Sequence, residues 1–399
     1  MYVKPKPSDF GTCLCITCQN LELKVEALIN RKLIGKDQPG YGLDSVILHS
    51  RNGDFELENE FKKDVAKLDD EETRGVDVGF LQWDKVKQTD LSKNTGRAKS
   101  DKTQRLPRHL PAGELGKIVL KDYEDYKEHL ERDYVLKNEI KKVRLEAMNE
   151  DDLAVLHIDW GEQHQVTQIR EVQSAFFAGR YAYDLHTGYC YTKEDSHGFV
   201  SLSDSSDHKA ESVHNALRPT IASLVDKGKK RFVICSDGPT SQYRNSKNVI
   251  LMKRFCEEFR ITIRILFTEA GHGKSPCDGV GGNVKTELEN VAMDIHGNQE
   301  IFTINKAEDV AKVLRERTNL TYTITVHKQE DTDAIRNSLG QLSSLTGALK
   351  IHEIFIGEDL VVKKKMLPND PFYKAVLIKE SRKKSTVTNV LDDDDYNSD

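Results

Sequence analysis

The chain has 399 residues, 37% hydrophobic and 31% charged, with a formal net charge of -6, a length that allows two or three domains of the usual ~100–200 residues. No apolar run approaches the ~20 residues of a membrane span, and Met1-Tyr-Val-Lys-Pro-Lys-Pro has no apolar signal core, so neither a membrane partner nor export is expected. Seven cysteines, an odd number, fit a reducing compartment with thiols free or metal-bound.

Cys13, Cys15 and Cys18 open the chain with a Cys-x-Cys-x-x-Cys spacing, readable as part of a zinc site or as free buried thiols, with no fourth ligand nearby. The apolar spacing of 20–28 predicts a short helix, and residues 30–80 read as polar and loop-rich, with turn signals at Gly40-Tyr-Gly42 and Asn52-Gly53. Basic residues then dominate: Lys85, Lys87, Lys93, Arg97, Lys99, Lys102, Arg105 and Arg108. Residues 92–111 read as a mobile basic linker closing an N-terminal region over 1–112, and its charge marks Lys85, Lys87, Arg97, Lys99, Arg105 and Arg108 as candidate DNA-backbone contacts. A long amphipathic helix is expected over 113–150, with Val119, Tyr123, Tyr126, Leu130 and Tyr134 on one stripe.

From residue 151 the pattern changes to strands. The first covers 153–159, with 172–183 and 199–203 as its antiparallel partners and a turn-rich connection over 184–198. Helix 210–226, strand 231–236, helix 241–259, strand 261–268 and helix 280–295 follow. The resulting order βββαβαβα over 151–300 is that of the ribonuclease-H fold, an α/β class built on a mixed sheet. Its first strand lies beside its fourth, so Asp159 and Asp237 would emerge side by side. Residues 301–380 predict a small C-terminal α/β plus β module, with helices at 306–317 and 334–342 and strands at 321–327, 354–363 and 372–378. The acidic tail over 381–399 lacks apolar periodicity and is expected to be disordered.

Two carboxylates at adjacent strand ends suit hard divalent ions, which take oxygen ligands and leave positions for water and phosphate. The competing reading is that Asp159 and Asp237 cap turns, and Asp237-Gly-Pro-Thr does suit a turn before a helix. Gly273-Lys274-Ser275 ends like a phosphate-binding loop, but the required first glycine falls at Thr268 and the motif fails. His272 and Lys274 are candidate phosphate or water contacts, or members of a structural loop. At the start of the helix after Asp237, Arg244 suits a phosphate and Tyr243 suits base stacking or packing.

Five segments, His157-Ile-Asp-Trp-Gly-Glu162, Val172-Gln-Ser-Ala-Phe-Phe177, Val200-Ser-Leu-Ser-Asp-Ser-Ser-Asp-His208, Ser236-Asp-Gly-Pro-Thr-Ser-Gln-Tyr-Arg-Asn245 and Gly271-His-Gly-Lys-Ser-Pro-Cys-Asp278-Gly-Val-Gly-Gly282, together resemble transposon-encoded proteins of animal genomes whose cores are similar to DDE/D transposases and retroviral-type integrases. The resemblance spans about 113–300. It implies that Asp159 and Asp237 hold Mg²⁺ (or Mn²⁺), with a third acid at Asp278, or else Glu269 or a later helix residue such as Glu287. It further implies DNA cleavage and strand transfer, with transposon ends and target DNA as partners; a nuclear location is expected, and the oligomeric state, a homo-oligomer among the choices, stays open. The segment Gly161-Glu-Gln-His164 departs from the Ala/Ser-Glu-Asn expected there, and no helix-turn-helix is evident. Two rivals share the ancestry: a nuclease without strand transfer, and an inactive host-adopted DNA- or protein-binding factor.

Overall fold

The computed structural model describes residues 15–35, 42–43, 45–47, 55–87, 101–161, 163–166, 172–173, 181–269, 275–297 and 304–381. The chain divides into two units, residues 1–138 with 268–273, and residues 139–267 with 274–399.

In the first unit, α1 (Ile16–Asn30) starts at Cys15, whose sulfur caps the first turn by accepting from Cys18 N. A second helix, α2 (Glu56–Ala66), follows. Its sequence Glu-Leu-Glu-Asn-Glu-Phe-Lys-Lys-Asp-Val-Ala has few apolar residues, but Phe61 and Val65 fall four apart and both are buried. That spacing, weak among so many charges, is why 30–80 does not read as helical. Next, β1 (Asp77–Val86) and β2 (Lys102–Pro111) pair antiparallel from Asp77↔Pro111 to Val86↔Lys102. The linker expected over 92–111 is therefore corrected at 102–111, which is strand. Its two prolines are tolerated because this two-stranded sheet has only edges. The long helix α3 (Ala112–Ala147) begins directly after β2. Its residues Val119, Tyr123, Tyr126 and Leu130 enter a core with Leu21, Val25, Leu28, Phe61 and Val78, whereas Tyr134 is 53% exposed. Asn20 fastens α1 to β1 by bonding both Trp83 O and Trp83 N, at 3.0 and 2.7 Å.

The second unit is built on one large mixed sheet. Its elements are β3 (Leu153–Trp160), β4 (His164–Gln165), β5 (Ala182–Tyr191), β6 (Ser196–Ser203), α4 (Ala210–Asp226), β7 (Arg231–Ser236), α5 (Ser246–Phe259), β8 (Thr262–Phe267), α6 (Pro276–Gly297), α7 (Ala307–Arg317), β9 (Thr323–Val326), α8 (Gln329–Ser338), β10 (Gln341–Leu342), β11 (Glu353–Ile356), β12 (Val362–Lys365), β13 (Lys374–Ala375) and β14 (Glu380–Ser381). The strand order is β13-β12-β11-β8-β7-β3-β5-β6-β9, with β4 paired to β5. Within it β3, β5 and β6 are antiparallel neighbours, while β3, β7 and β8 run parallel. The parallel strands read as unbroken apolar runs because both faces are covered. Along β3, Ala154, Leu156 and Ile158 pack with Val213, Leu217, Val249 and Phe255 of α4 and α5, and Leu153 and Val155 pack with Ile140 and Val143 of α3.

Two expectations are corrected here. Residues 184–191 and 196–198 are strand rather than connection, the turn being confined to 192–195. The C-terminal strands β9 and β11 do not stand apart from the core: β9 pairs with β6 and β11 pairs with β8, so both extend the central sheet, while β10 and β14 pair with each other. The run over 354–363 is two strands, β11 and β12, folded back on each other from Glu353↔Lys365 to Ile356↔Val362. Among the described residues no helix is long and apolar enough to cross a membrane.

Candidate metal centre at adjacent strand ends

The β3–β7 register ends at His157↔Cys235. Two residues on from each lie Asp159 and Asp237, at the same step of two parallel strands whose neighbours are ~4.8 Å apart. Alternation aims both at the face of Val155 and Val233, opposite α4 and α5. On the other side Asp159 pairs with Thr187 of β5, and the Thr187 hydroxyl donates to Asp159 O at 3.4 Å. Asp237 stands on a turn that only glycine can follow. Gly238 has φ +72°, and a Cβ there would lie 2.7 Å from Arg244 Nε and 2.9 Å from the Phe267 ring.

Both acids are disfavoured as anions. Burial, then the neighbouring Asp237, then Asp278 push the Asp159 carboxyl up to about 7, against one opposing hydrogen bond from Trp160 N at 2.8 Å. Burial, and to a smaller degree Asp278, raise Asp237, which the backbone N–H groups of Asp237 and Gly238 and the charge of Arg244 only partly offset. Asp237 Oδ1 is buried and has no hydrogen-bond partner among the described residues. A buried acceptor left so costs ~1–3 kcal/mol or more. Two partly buried like charges, one with an unsatisfied oxygen, form a site that further positive charge would stabilise.

Asp278 lies in the first turn of α6, exposed, with Oδ2 accepting from Ser275 N at 3.1 Å. Its charge is felt by both other aspartates. Cys277 beside it is buried, and burial, Asp159 and Asp278 hold its thiol protonated, up to about 12. Glu269 is engaged elsewhere, in the first unit, accepting from His129 Nδ1 at 2.9 Å and Arg132 Nε at 3.0 Å.

Two of the expected nucleic-acid contacts are corrected by burial. Tyr243 is 1% exposed, its hydroxyl 3.2 Å from His186 Nε2, so its ring has no face for a base. Arg244 is 5% exposed, lying 4.8 Å over the Phe267 ring and donating to Leu349 O at 2.9 Å, so it braces the turn after Asp237. Lys85 and Arg105 are exposed on one face of the β1–β2 hairpin, with Arg105 5.8 Å from the Trp83 ring. Arg108 lies on the other face and is paired with Asp84 at 2.6 Å. Lys87 is exposed just after β1. Arg97, Lys99, His272, Lys274 and Cys13 lie outside the described residues. The sequence reading missed His129, a single buried histidine in the stripe of α3 beside Tyr126 and Leu130, which only helical spacing hints at.

No curated protein matches the chain, and no solved structure matches it. The family model described as Domain of unknown function (DUF8701) matches residues 138–367, more than half of the chain, which therefore belongs to that family.

Proposed function

We propose that the chain is a DDE/D-type, ribonuclease-H-like protein of transposon origin that cleaves DNA and joins the cut end to target DNA, with Asp159, Asp237 and Asp278 as ligands for Mg²⁺ or Mn²⁺. The observation that carries this reading is the pair of like-charged, partly buried aspartates at matching positions of parallel strands, one with an unpartnered oxygen. The order β6-β5-β3-β7-β8, antiparallel on one side of β3 and parallel on the other, supports the fold assignment.

Bound there, divalent ions would activate a water or 3′-hydroxyl and neutralise charge on the phosphodiester. The chain's own part is to fix the ligands and keep competing groups silent. Thr187 and Trp160 N hold Asp159 in place. The protonated Cys277 thiol offers no nucleophile. The glycine turn holds Asp237 at the rim.

The first prediction is that Asp159→Asn and Asp237→Asn each lower Mg²⁺-dependent cleavage of duplex DNA by at least ~10³-fold, while the circular dichroism spectrum and DNA affinity are retained. Gel analysis of products with a labelled end and a plasmid target separates joining from cleavage alone. Cutting that persists in both variants, or that is indifferent to EDTA, refutes the reading; cleavage without joined product leaves a nuclease.

A further inference from the structure

The thiol of Cys15 lies 3.4 Å from His129 Nε2, and the ligand atoms of Cys15, Cys18 and His129 all lie within 4.8 Å of one another. The three come from two places in the first unit. Cys15 and Cys18 flank the first turn of α1, where Cys18 N points at Cys15 Sγ from 3.4 Å, an arrangement that stabilises a thiolate through the amide and the helix N-terminus. His129 projects from α3 and is 6% exposed.

The other ring nitrogen identifies the chemistry. His129 Nδ1 is 2.9 Å from Glu269 Oε1, which also accepts from Arg132 Nε at 3.0 Å. A carboxylate held by an arginine can only accept, so the ring proton sits on Nδ1. That leaves the Nε2 lone pair facing the two sulfurs. Carboxylate behind histidine, histidine in front of a metal, is the arrangement that fixes tautomer and ring orientation in zinc sites. Spacing agrees as well, since tetrahedral zinc with Zn–S ≈ 2.3 Å and Zn–N ≈ 2.0–2.1 Å separates a sulfur from a nitrogen ligand by ~3.5 Å.

We infer that Cys15, Cys18 and His129 bind a structural zinc ion, with Glu269 as the positioning residue behind His129. Two thiolates and an imidazole select zinc over Mg²⁺ or Mn²⁺, so this centre is chemically distinct from the three aspartates and independent of their assignment. Water or a further donor completes the four-coordinate shell. Binding displaces the thiol protons of Cys15 and Cys18, and the ion links the start of α1 to α3 within a unit whose core is otherwise a small cluster of helices and one hairpin.

The test uses the full chain, purified without a metal-binding tag and analysed by mass spectrometry for metal. The expected result is about one zinc per chain, retained in Asp159→Asn and lost in the double variant Cys15→Ser/Cys18→Ser. Replacing zinc by Co²⁺ should give tetrahedral d–d bands with sulfur-to-cobalt charge transfer. His129→Cys should keep the ion, and Glu269→Gln should lower zinc affinity ~10–100-fold with unchanged stoichiometry at saturation. Zinc content unaffected by loss of both cysteines, a cobalt spectrum without sulfur charge transfer, or a chain that takes up no zinc would overturn the inference. Should the double cysteine variant fail to fold, Glu269→Gln decides, and an unaltered affinity there overturns it too.

Discussion

His214 shows how much a single buried base contributes to pH dependence. It is 6% exposed on α4, stacked 3.9 Å from the Phe255 ring, and neither ring nitrogen has a hydrogen-bond partner among the described residues. Burial, with Arg218 and Arg254 nearby, lowers its pKa from 6.5 to about 4. Between these values the unfolded chain binds a proton that the native chain refuses, so stability falls as the pH drops through that window. By linkage the loss from this residue is on the order of 2 kcal/mol at pH 5. His214→Phe, which keeps the stack and removes the titration, should flatten the decline of Tm between pH 7 and 5; an unchanged slope would show that His214 takes up its proton in the native state as readily as in the unfolded chain. Asp159 works in the opposite direction. Its carboxyl, raised from 3.8 to about 7, favours the native state at low pH and costs stability as pH rises through that interval. At this scale the sequence is legible where chemistry and chain position coincide. Asp159 and Asp237 could be named because each ends an apolar run. Tyr243 and Arg244 could not be placed, since a first turn does not declare which way its side chains point. His129 was invisible because its partners Cys15 and Glu269 lie 114 and 140 residues away.

A strand that carries polar residues inward hides its own periodicity, and β5 is the example. Asp184, His186 and Thr187 are all buried in it, interleaved with the buried Tyr183, Leu185 and Cys190, so no alternation of apolar and polar survives to be read. Gly188 adds a second false signal, since glycine inside a strand pattern suggests a turn or bulge. Its cause is close packing: a Cβ at 188 would lie 2.0 Å from Phe199 Cζ and 2.4 Å from two further ring atoms. Gly188→Ala should therefore destabilise the protein by about 1–3 kcal/mol, measured by urea unfolding, and Phe199→Leu in the same chain should recover part of that loss. Equal stabilities of the Ala variant and the parent would mean that the ring moves aside without cost. By contrast β3, β7 and β8 are legible because both of their faces are buried. The helix over 210–226 is legible because it lays one apolar stripe, including Val213, Leu217 and Ile221, on that sheet.

The sheet is larger than the order of its central strands suggests, and long-range pairing is what conceals this. Nothing local marks β11 as the neighbour of β8; the register Glu353↔Leu266 to Ile356↔Ile263 joins segments almost ninety residues apart. Charge makes that pairing specific. Arg264 forms a two-pronged bond to Glu353, at 2.9 Å on each arm, and a third contact to Glu139 at 2.7 Å. Glu353 is fully buried and also accepts from the Tyr373 hydroxyl, so removing Arg264 would leave a buried carboxylate with a hydrogen bond but no counter-charge, a change that costs ~3–5 kcal/mol. On the far side β9 covers the edge of β6, and Val310, Val313 and Leu314 of α7 cover Val200 and Leu202. The family match over 138–367 runs past β11 and β12, consistent with a folding unit that includes both additions. A fragment spanning 138–303, the central strands alone, loses both edge strands and leaves Arg264 without Glu353. We predict that it is aggregated or shows no cooperative thermal transition, whereas a fragment spanning 138–381 melts in a single step. Differential scanning calorimetry of the two decides the matter: cooperative melting of the shorter fragment would make the C-terminal strands an accessory to the sheet rather than part of its foundation.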